Sequence, residues 1–431
     1  MSAREKPLYP PELPLFPSDL PSLGSDRFAL AGRVTGAGDG VIVVTDAFAR
    51  ARVVGKARVT VGDLVVLEVR REKGALALVR VLECHPSAVA TAEPGLGSRG
   101  PTRRSVAPDG DAPASGAEAQ RFSEDRIGLN LRDRARALAI VRAFFAARAF
   151  IEVDTPLLVP SPGLDLHLDA VEATGGYLIT SPEYQMKRLL VGGVPRQFQL
   201  SHVFRRGEIG AHHNPEFTML EWYRAFAGID QMMRDTEELV TELVCAFHGD
   251  GRLPGECAHV TVAPPFPRVT VAQAFARHAG VPEAEVFRLA REEPDVFFRL
   301  LIDRVEPELA AATTPVFLVD YPIEHASLAR AKPSDPRVCE RFELYLGGLE
   351  LCNGFGELTD AEEQRRRLLR DQRVRAAAGK PVYPIDERFL AALAEGMPPS
   401  AGNALGMDRI VALCLGEPEI ARVMPFPAGM V

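Results

Sequence analysis

The stretch Phe204-Arg205-Arg206-Gly207-Glu208 leads into His212-His213-Asn214 and then into the run PEFTMLEWY, which ends at Tyr223. Far downstream, Gly406-Met407-Asp408-Arg409 opens an apolar run, IVALCLG. Between them, Glu343 and Glu350 stand seven residues apart in RFELYLGGLELCNGF, and Ser181-Pro182-Glu183 opens SPEYQMKRLLVGG. Arginines and carboxylates gathered this way answer the demands of activating a carboxylate with ATP. A cation must hold the α-phosphate and the attacking carboxylate together, further cations must neutralise the pyrophosphate leaving group, and carboxylates must hold magnesium. A cationic amino acid adds a need for acidic or polar groups around its amines.

Such residues need a rigid support. Residues 122–431 read as one large α+β unit. Its first helix, roughly Asp133 to Ala149, sets Leu138, Val141 and Phe145 on one face at spacings of three and four. It leads into FIEVDTPLL (150–158), a strand broken by Pro156; further strands are expected at 177–180, 198–204, 217–225, 317–322 and 341–355. Residues 231–309 are helical in pattern and carry no recognisable chemistry. Upstream the texture differs. Short β-rich runs at 41–46, 58–70 and 75–83, separated by Gly, Asp and Lys turn signals, predict a small five-stranded barrel of the oligonucleotide-binding (OB-like) type over 26–87. The GDG at 38–40 is a hairpin signal within it. Residues 88–121 are rich in Ala, Pro, Gly and Ser and bury too little to offset the entropy of ordering, so they read as a flexible linker. Residues 1–25 read as a proline-rich, irregular arm.

The helix and strand ending at Pro156 resemble motif 1 of the class II aminoacyl-tRNA synthetases, Phe204 to Tyr223 resembles motif 2, and Gly406 to Arg409 with its helix resembles motif 3. HNPEFTMLEWY, SPEYQMKRLLVGG and GLELCNGFGELTD resemble the lysyl-tRNA synthetase branch, and over about 125–425 the chain is most similar to its tRNA-independent elongation factor P lysyltransferase group. The resemblance implies an antiparallel-sheet catalytic core flanked by helices, behind the small all-β domain. It also implies ATP and Mg2+, (R)-β-lysine or lysine as the activated amino acid, and a lysine of elongation factor P as acceptor.

Residue by residue, the resemblance gives Arg205 the bridge between α-phosphate and carboxylate. ATP would meet Arg206, Gly207, Glu208, His213, Asn214, Glu350, Leu351, Gly406 and Arg409, with Arg409 along the γ-phosphate. Glu343 and Glu350 would hold magnesium. Ser181, Pro182 and Glu183 would bind the amino end near the carboxylate, and Tyr223, Asn353 and Glu357 would close on the distal ammonium. Two positions stand apart. The family's motif 2 reads arginine, any residue, glutamate, whereas here Gly207 takes the third place and the acid falls at Glu208. Ala404 stands where lysyl-tRNA synthetases have glycine, and its methyl takes space from α-lysine that a shifted amino group could leave free.

Composition sets the remaining limits. Apolar residues at 46 % and charged residues at 25 % are ordinary for a globular chain. With 50 basic against 58 acidic side chains, the net charge of −8 argues against a protein whose main task is gripping nucleic acid. Six scattered cysteines without a C-x-x-C pair read as free thiols in a reducing compartment, hence a cytoplasmic location. No run approaches the roughly 18 apolar residues of a membrane helix. His212 and His213 do not read as a metal pair, because adjacent side chains diverge and no third ligand stands near. Arg365-Arg366-Arg367 reads as a solvent face. The competing function is a lysyl-tRNA synthetase with a reduced barrel, but Phe28 and Phe48 are that region's only aromatics, so no stacking platform for an anticodon is evident and tRNA is not the expected partner. A homodimer through motif 1 is expected.

Overall fold

A computed structural model describes residues 15–22, 26–86, 117–123, 125–163, 166 and 168–430. Two compact units divide between Asp133 and Arg134, inside a helix that runs Ile127–Ala147.

In the first unit, strands β1 (Arg27–Gly38), β2 (Val41–Thr45), β3 (Arg50–Val54), β4 (Leu64–Glu72) and β5 (Ala75–His85) close into a barrel in the order β1-β2-β3-β5-β4. Side chains alternate as a half-buried strand requires: in β3, Ala51 and Val53 are buried while Arg50, Arg52 and Val54 are exposed. Leu30, Val34, Ile42, Val44, Leu67 and Val69 fill the interior with them. The expected hairpin turns at Asp39 and Gly40. Of the expected arm, Pro17–Ser22 forms a 3₁₀ turn. Of the expected linker, the last residues belong to the helix Ala117–Ser123; the other parts of both lie outside the described residues.

The second unit is built on strands β6 (Ile151–Glu152), β7 (Leu158–Val159), β8 (Glu172–Ala173), β9 (Gly176–Leu178), β10 (Arg196–Phe204), β11 (Glu216–Ala225), β12 (Arg268–Thr270), β13 (Val316–Pro322), β14 (Ala331–Lys332), β15 (Asp335–Leu346), β16 (Leu349–Gly356) and β17 (Ser400–Gly406). A nine-stranded sheet runs β12-β13-β15-β16-β17-β11-β10-β6, with β14 added on β15, and β7-β9-β8 form a separate small sheet. All pairs in the large sheet are antiparallel except β12 with β13 and β6 with β10. Period two again sorts the side chains. Leu220 and Trp222 of β11 and Leu405 of β17 enter the main core, where Phe145 stacks on Phe198 with ring centres 4.6 Å apart. Met219, Glu221 and Tyr223 point from β11 to the opposite face, where cavities open.

Several expected elements take a different form. The strand at 150–158 shrinks to Ile151–Glu152 and Leu158–Val159, because Pro156 has no N–H to give a ladder. The run at 341–355 is a hairpin, β15 to β16, turning at Gly347-Gly348. Strand β17, absent from the sequence reading, inserts between β16 and β11; its SAGNALG carries no β-branched or aromatic side chain to announce it. Arg367 is no solvent-face residue. It is buried, donates to the carbonyls of Ser327 and Ala329, and pairs with Glu363.

Candidate active site

Two cavities lie side by side on the sheet face away from the main core. The smaller, about 150 Å³, is walled by Ser181, Glu183, Glu221, Tyr223, Asn353 and Glu357, among others. Its acids are tied together. Ser181 Oγ donates to Glu221 Oε2 at 2.7 Å, and Tyr223 Oη donates to Glu221 Oε1 at 2.5 Å. Lys187, fully buried, places its Nζ 2.6 Å from Glu183 and 2.5 Å from Glu357. Burial works against the charge of Lys187, but Glu183 and Glu357 outweigh it and hold its pKa above the ordinary value. Burial, and then the charge of Glu183, push Glu221 up to about 8. Burial likewise raises Glu357 against the pull of Lys187. Three carboxylates (Glu183, Glu221, Glu357) thus face one internal ammonium, leaving a pocket suited to incoming cationic amines.

Gly402 makes room for this arrangement. A Cβ there would stand 2.2 Å from the Tyr223 ring and 2.7 Å from Glu357 Oε1, so only glycine fits.

The larger cavity, about 330 Å³, is lined by the motif 2 and motif 3 candidates: Arg205, Glu208, His213, Asn214, Gly406 and Arg409, with Glu343, Glu350 and Leu351 from the β15–β16 hairpin. Arg409 is fixed at each nitrogen: Nη1 donates to the Glu350 carbonyl at 2.7 Å, Nε to the His212 carbonyl at 3.2 Å, and Nη2 lies 2.8 Å from His213 Nε2. Burial and then Arg409 lower the pKa of both His212 and His213, so His213 meets the guanidinium as a neutral acceptor. Asp408 secures the same turn from behind. It accepts from Arg134 at 2.5 Å and from the Thr218 N–H at 2.8 Å, tying the helix Ile127–Ala147, β11 and the helix Met407–Leu415 together.

Arg205, Leu168, Met219, Asn353 and Ala404 line both cavities. Arg205 is the cation at that joint. Its buried Nε has no hydrogen-bond partner among the described residues, and its nearest acid, Glu208, is 3.8 Å away. Leu168 is held over the joint by Arg375, which donates to its carbonyl at 2.9 Å and pairs with Asp169 at 2.5 Å.

Comparison with known proteins bears directly on this arrangement. Residues 119–429 match the family described as tRNA synthetases class II (D, K and N). Curated relatives named elongation factor P--(R)-beta-lysine ligase, from Erwinia tasmaniensis and Klebsiella pneumoniae subsp. pneumoniae, are each 40 % identical over 324 residues, covering 69 % of this chain and 94 % of the relative. One from Proteus mirabilis is 40 % identical over 309 residues with the same coverage. The chain belongs to the class II tRNA synthetases. It is a ligase of that family, and the expected class II core behind a small β domain is the fold observed.

Within this class II frame, the residues expected for nucleotide and amino acid gather at the two cavities. Arg206 and Pro182 are not among the side chains lining either; Arg206 contributes through its N–H, which donates to the Asp169 carbonyl. Asn214 lines the larger cavity, yet its amide already bonds the Glu216 carbonyl and the Ala428 N–H. Gly207 has φ of +83°, so the residue at the family's glutamate position sits in a left-handed turn while Glu208 faces the cavity. Glu221, Lys187, Gly402, Arg341 and Arg375 escaped the sequence reading. Glu221 lay inside a quoted motif at two residues from Tyr223, a spacing that puts both on one strand face, and this signal was readable. Lys187 lies four residues after Glu183, on one helical face.

The magnesium pair fits unequally. Glu343 already accepts from Arg341 at 2.6 Å and from Tyr345 at 2.9 Å. Glu350 has no side-chain hydrogen bond among the described residues, and burial with the charge of Glu343 raises its pKa to about 7. A carboxylate so placed suits a divalent cation, whose charge would ionise it.

Proposed function

We propose that the catalytic unit activates (R)-β-lysine, or lysine, with ATP as an aminoacyl-adenylate and transfers the aminoacyl group to a lysine side chain of elongation factor P. The observation that carries this reading is the joint between the two cavities. Arg205 stands between a pocket of buried carboxylates and a cavity of arginine and histidine, the separation needed to bring a cationic amino acid's carboxylate to an α-phosphate. The names of the curated relatives supply the product class.

In this reading Glu221, Tyr223 and Glu357 receive the distal ammonium, while Ser181 and Glu183 receive the amine nearer the carboxylate. Lys187 neutralises Glu183 and Glu357, so that the empty pocket does not leave these two acids without a counter-ion. Arg205 would hold both reacting oxygens in line, and Arg409, fixed by three contacts, would lie against the terminal phosphate. Glu350, with Glu343 beside it, would hold Mg2+, which supplies charge neutralisation to the leaving pyrophosphate. Glu208 would take the adenine-side role of the family glutamate.

A homodimer is part of the proposal. Ile151, on the edge strand β6, and Leu157 and Leu158 nearby are exposed apolar side chains, a surface that a second copy would cover. A mass of about 94 kDa by light scattering, twice the 46.9 kDa chain, is expected; a monomer mass would remove this part. A cytoplasmic site of action accompanies the acceptor; no described helix is long and apolar enough to cross a membrane.

The test is to incubate the protein with ATP, magnesium and its host's elongation factor P, supplying (R)-β-lysine or lysine, and to read the factor's intact mass. A gain of one lysyl residue, greater with the β isomer, is expected, with lysine tRNA left uncharged in a parallel reaction. Charged tRNA with unmodified factor would instead make the chain a lysyl-tRNA synthetase.

A further inference from the structure

A buried guanidinium on the helix Ala361–Ala377 clasps one turn of backbone. Arg367 Nη1 donates to the Ser327 carbonyl at 3.1 Å and to the Ala329 carbonyl at 2.7 Å, while its Nε donates to Glu363 at 2.8 Å. The turn runs from Ala326 to Ala329 and is closed by the Ala329 N–H on the Ala326 carbonyl at 2.8 Å. Its first central residue, Ser327, has φ of +49°. Turns place glycine in that left-handed region, and a residue with a Cβ is strained there. Ala326 and Ala329 are buried on either side, so the strained residue is also a fixed one. Backbone over-determined in this way clusters at ligand sites.

Ser327 lines the smaller cavity. Its carbonyl is taken by Arg367, but its hydroxyl makes no hydrogen bond among the described residues. The turn is laced to the segment that carries Glu357. The Leu358 N–H donates to the Leu328 carbonyl at 3.0 Å, the Arg330 N–H to the Gly356 carbonyl at 2.8 Å, and Ala329 pairs with Glu357 in an isolated bridge. The cavity already gathers Glu183, Glu221 and Glu357 around the one ammonium of Lys187. Another carboxylate would add like charge where burial already pushes Glu221 and Glu357 towards neutrality. A hydroxyl adds an acceptor without adding charge.

We propose that Ser327 is a specificity-determining residue of this pocket, its hydroxyl accepting from the distal ammonium of the bound amino acid beside Glu357, and that Arg367 is the positioning residue that holds the strained turn. The proposal rests on the reading of the smaller cavity as the site for the amino acid. An unsubstituted ammonium has three N–H donors to share among Glu221, Glu357 and Ser327, whereas an Nε-methylated one has two. The serine therefore selects the unsubstituted amine.

The full-length protein is assayed by ATP–pyrophosphate exchange with lysine, (R)-β-lysine and the Nε-methyl form of each. Ser327→Ala removes the hydroxyl and keeps the Cβ, while Ser327→Gly removes the hydroxyl and suits the positive φ. Both should raise the KM for the amino acid about tenfold, as expected for one hydrogen bond to a charged group, with the KM for ATP unaltered. Both should narrow the preference for the unmethylated amino acid by about the same factor. Ser327→Gly should melt no lower than the unaltered protein, which separates loss of the hydroxyl from damage to the turn. Arg367→Lys offers one nitrogen where the guanidinium uses two. It should raise the amino-acid KM in the unaltered protein and add nothing in Ser327→Gly, and additive effects would overturn the positioning role. Should that variant fail to fold, Glu363→Gln, which loosens Arg367 from its other side, is read in the same way. An unchanged amino-acid KM in both Ser327 variants overturns the proposal, as does a parallel rise in the KM for ATP. Exchange by the unaltered protein with neither lysine isomer would instead overturn the reading of the cavity itself, a result that no Ser327 variant can imitate.

Discussion

The pocket proposed for the amino acid and the cavity proposed for the nucleotide share five lining residues, yet they hold their charges differently. In the smaller pocket, Glu221, Tyr223 and Glu357 are buried; Glu221 accepts from Ser181 and Tyr223, and Lys187 joins Glu183 to Glu357. Before any ligand arrives the pocket holds its own counter-ion. On the nucleotide side, Arg205 and Glu208 come from the turn joining β10 to β11, and Arg205 keeps a buried nitrogen without a partner. Strand-borne groups give fixed shape, which suits choosing among similar amino acids. Arg205, on a turn, would meet phosphates, which differ little from one nucleotide to the next and need charge more than shape.

The comparison breaks first at its joint. Arg205→Ala should lower ATP–pyrophosphate exchange about 10³-fold, because one group serves both cavities at the reacting atoms. A loss of less than about tenfold would show that the two sites are bridged elsewhere. Next, Lys187→Met would leave buried Glu357 and half-buried Glu183 without their cation. A loss of about 3–5 kcal/mol in urea denaturation is expected, with bound lysine restoring part of it. An unchanged midpoint would mean that the pocket's acids are held neutral and need no counter-ion.

A pH profile sharpens the contrast. Glu221, raised to about 8, keeps its proton in the empty pocket below that pH and must release it to accept an ammonium. Lysine affinity measured by calorimetry should therefore strengthen as pH rises towards 8, by up to about tenfold per unit, and level off above it. Glu221→Gln should bind more weakly and show no such rise, and a rise that persists in that variant would assign the proton to another group. The smallest effect concerns Ala404, whose methyl faces both cavities. Ala404→Gly should shift the preference between β- and α-lysine by about tenfold in relative kcat/KM, with the KM for ATP unaltered.

What could be read in advance followed from spacing. Strand β11 and the turn at Asp39-Gly40 were visible because a strand repeats every two residues and a tight turn selects glycine or aspartate, whereas β3 lay between two of the expected runs. The cluster of Arg205, Glu208, His213, Glu350 and Arg409 was named through the resemblance to the class II motifs, and the structure brings those five to one cavity. Strand β17 was not visible, since its small side chains exist to leave room for neighbours such as Tyr223, a need expressed only across the sheet. Asn214 was named for ATP, and its amide also serves as a tether between Glu216 and Ala428.

By itself the sequence determined which groups were available: the arginines and acids of the motifs, a β-rich segment of barrel size, and the glycines where only glycine fits. Tertiary structure alone decided how those charges were paired. It brought Lys187 and Glu357 to 2.5 Å across 170 residues of chain, and Arg134 and Asp408 to 2.5 Å across 274. It also paired Arg70 and Arg80 with Glu72 and Glu68 while leaving Arg50 and Arg52 of β3 without an acidic partner among the described residues. Whether a charge is spent inside the fold or kept for a ligand depends on which distant residue lies opposite it, and no local pattern in the chain records that.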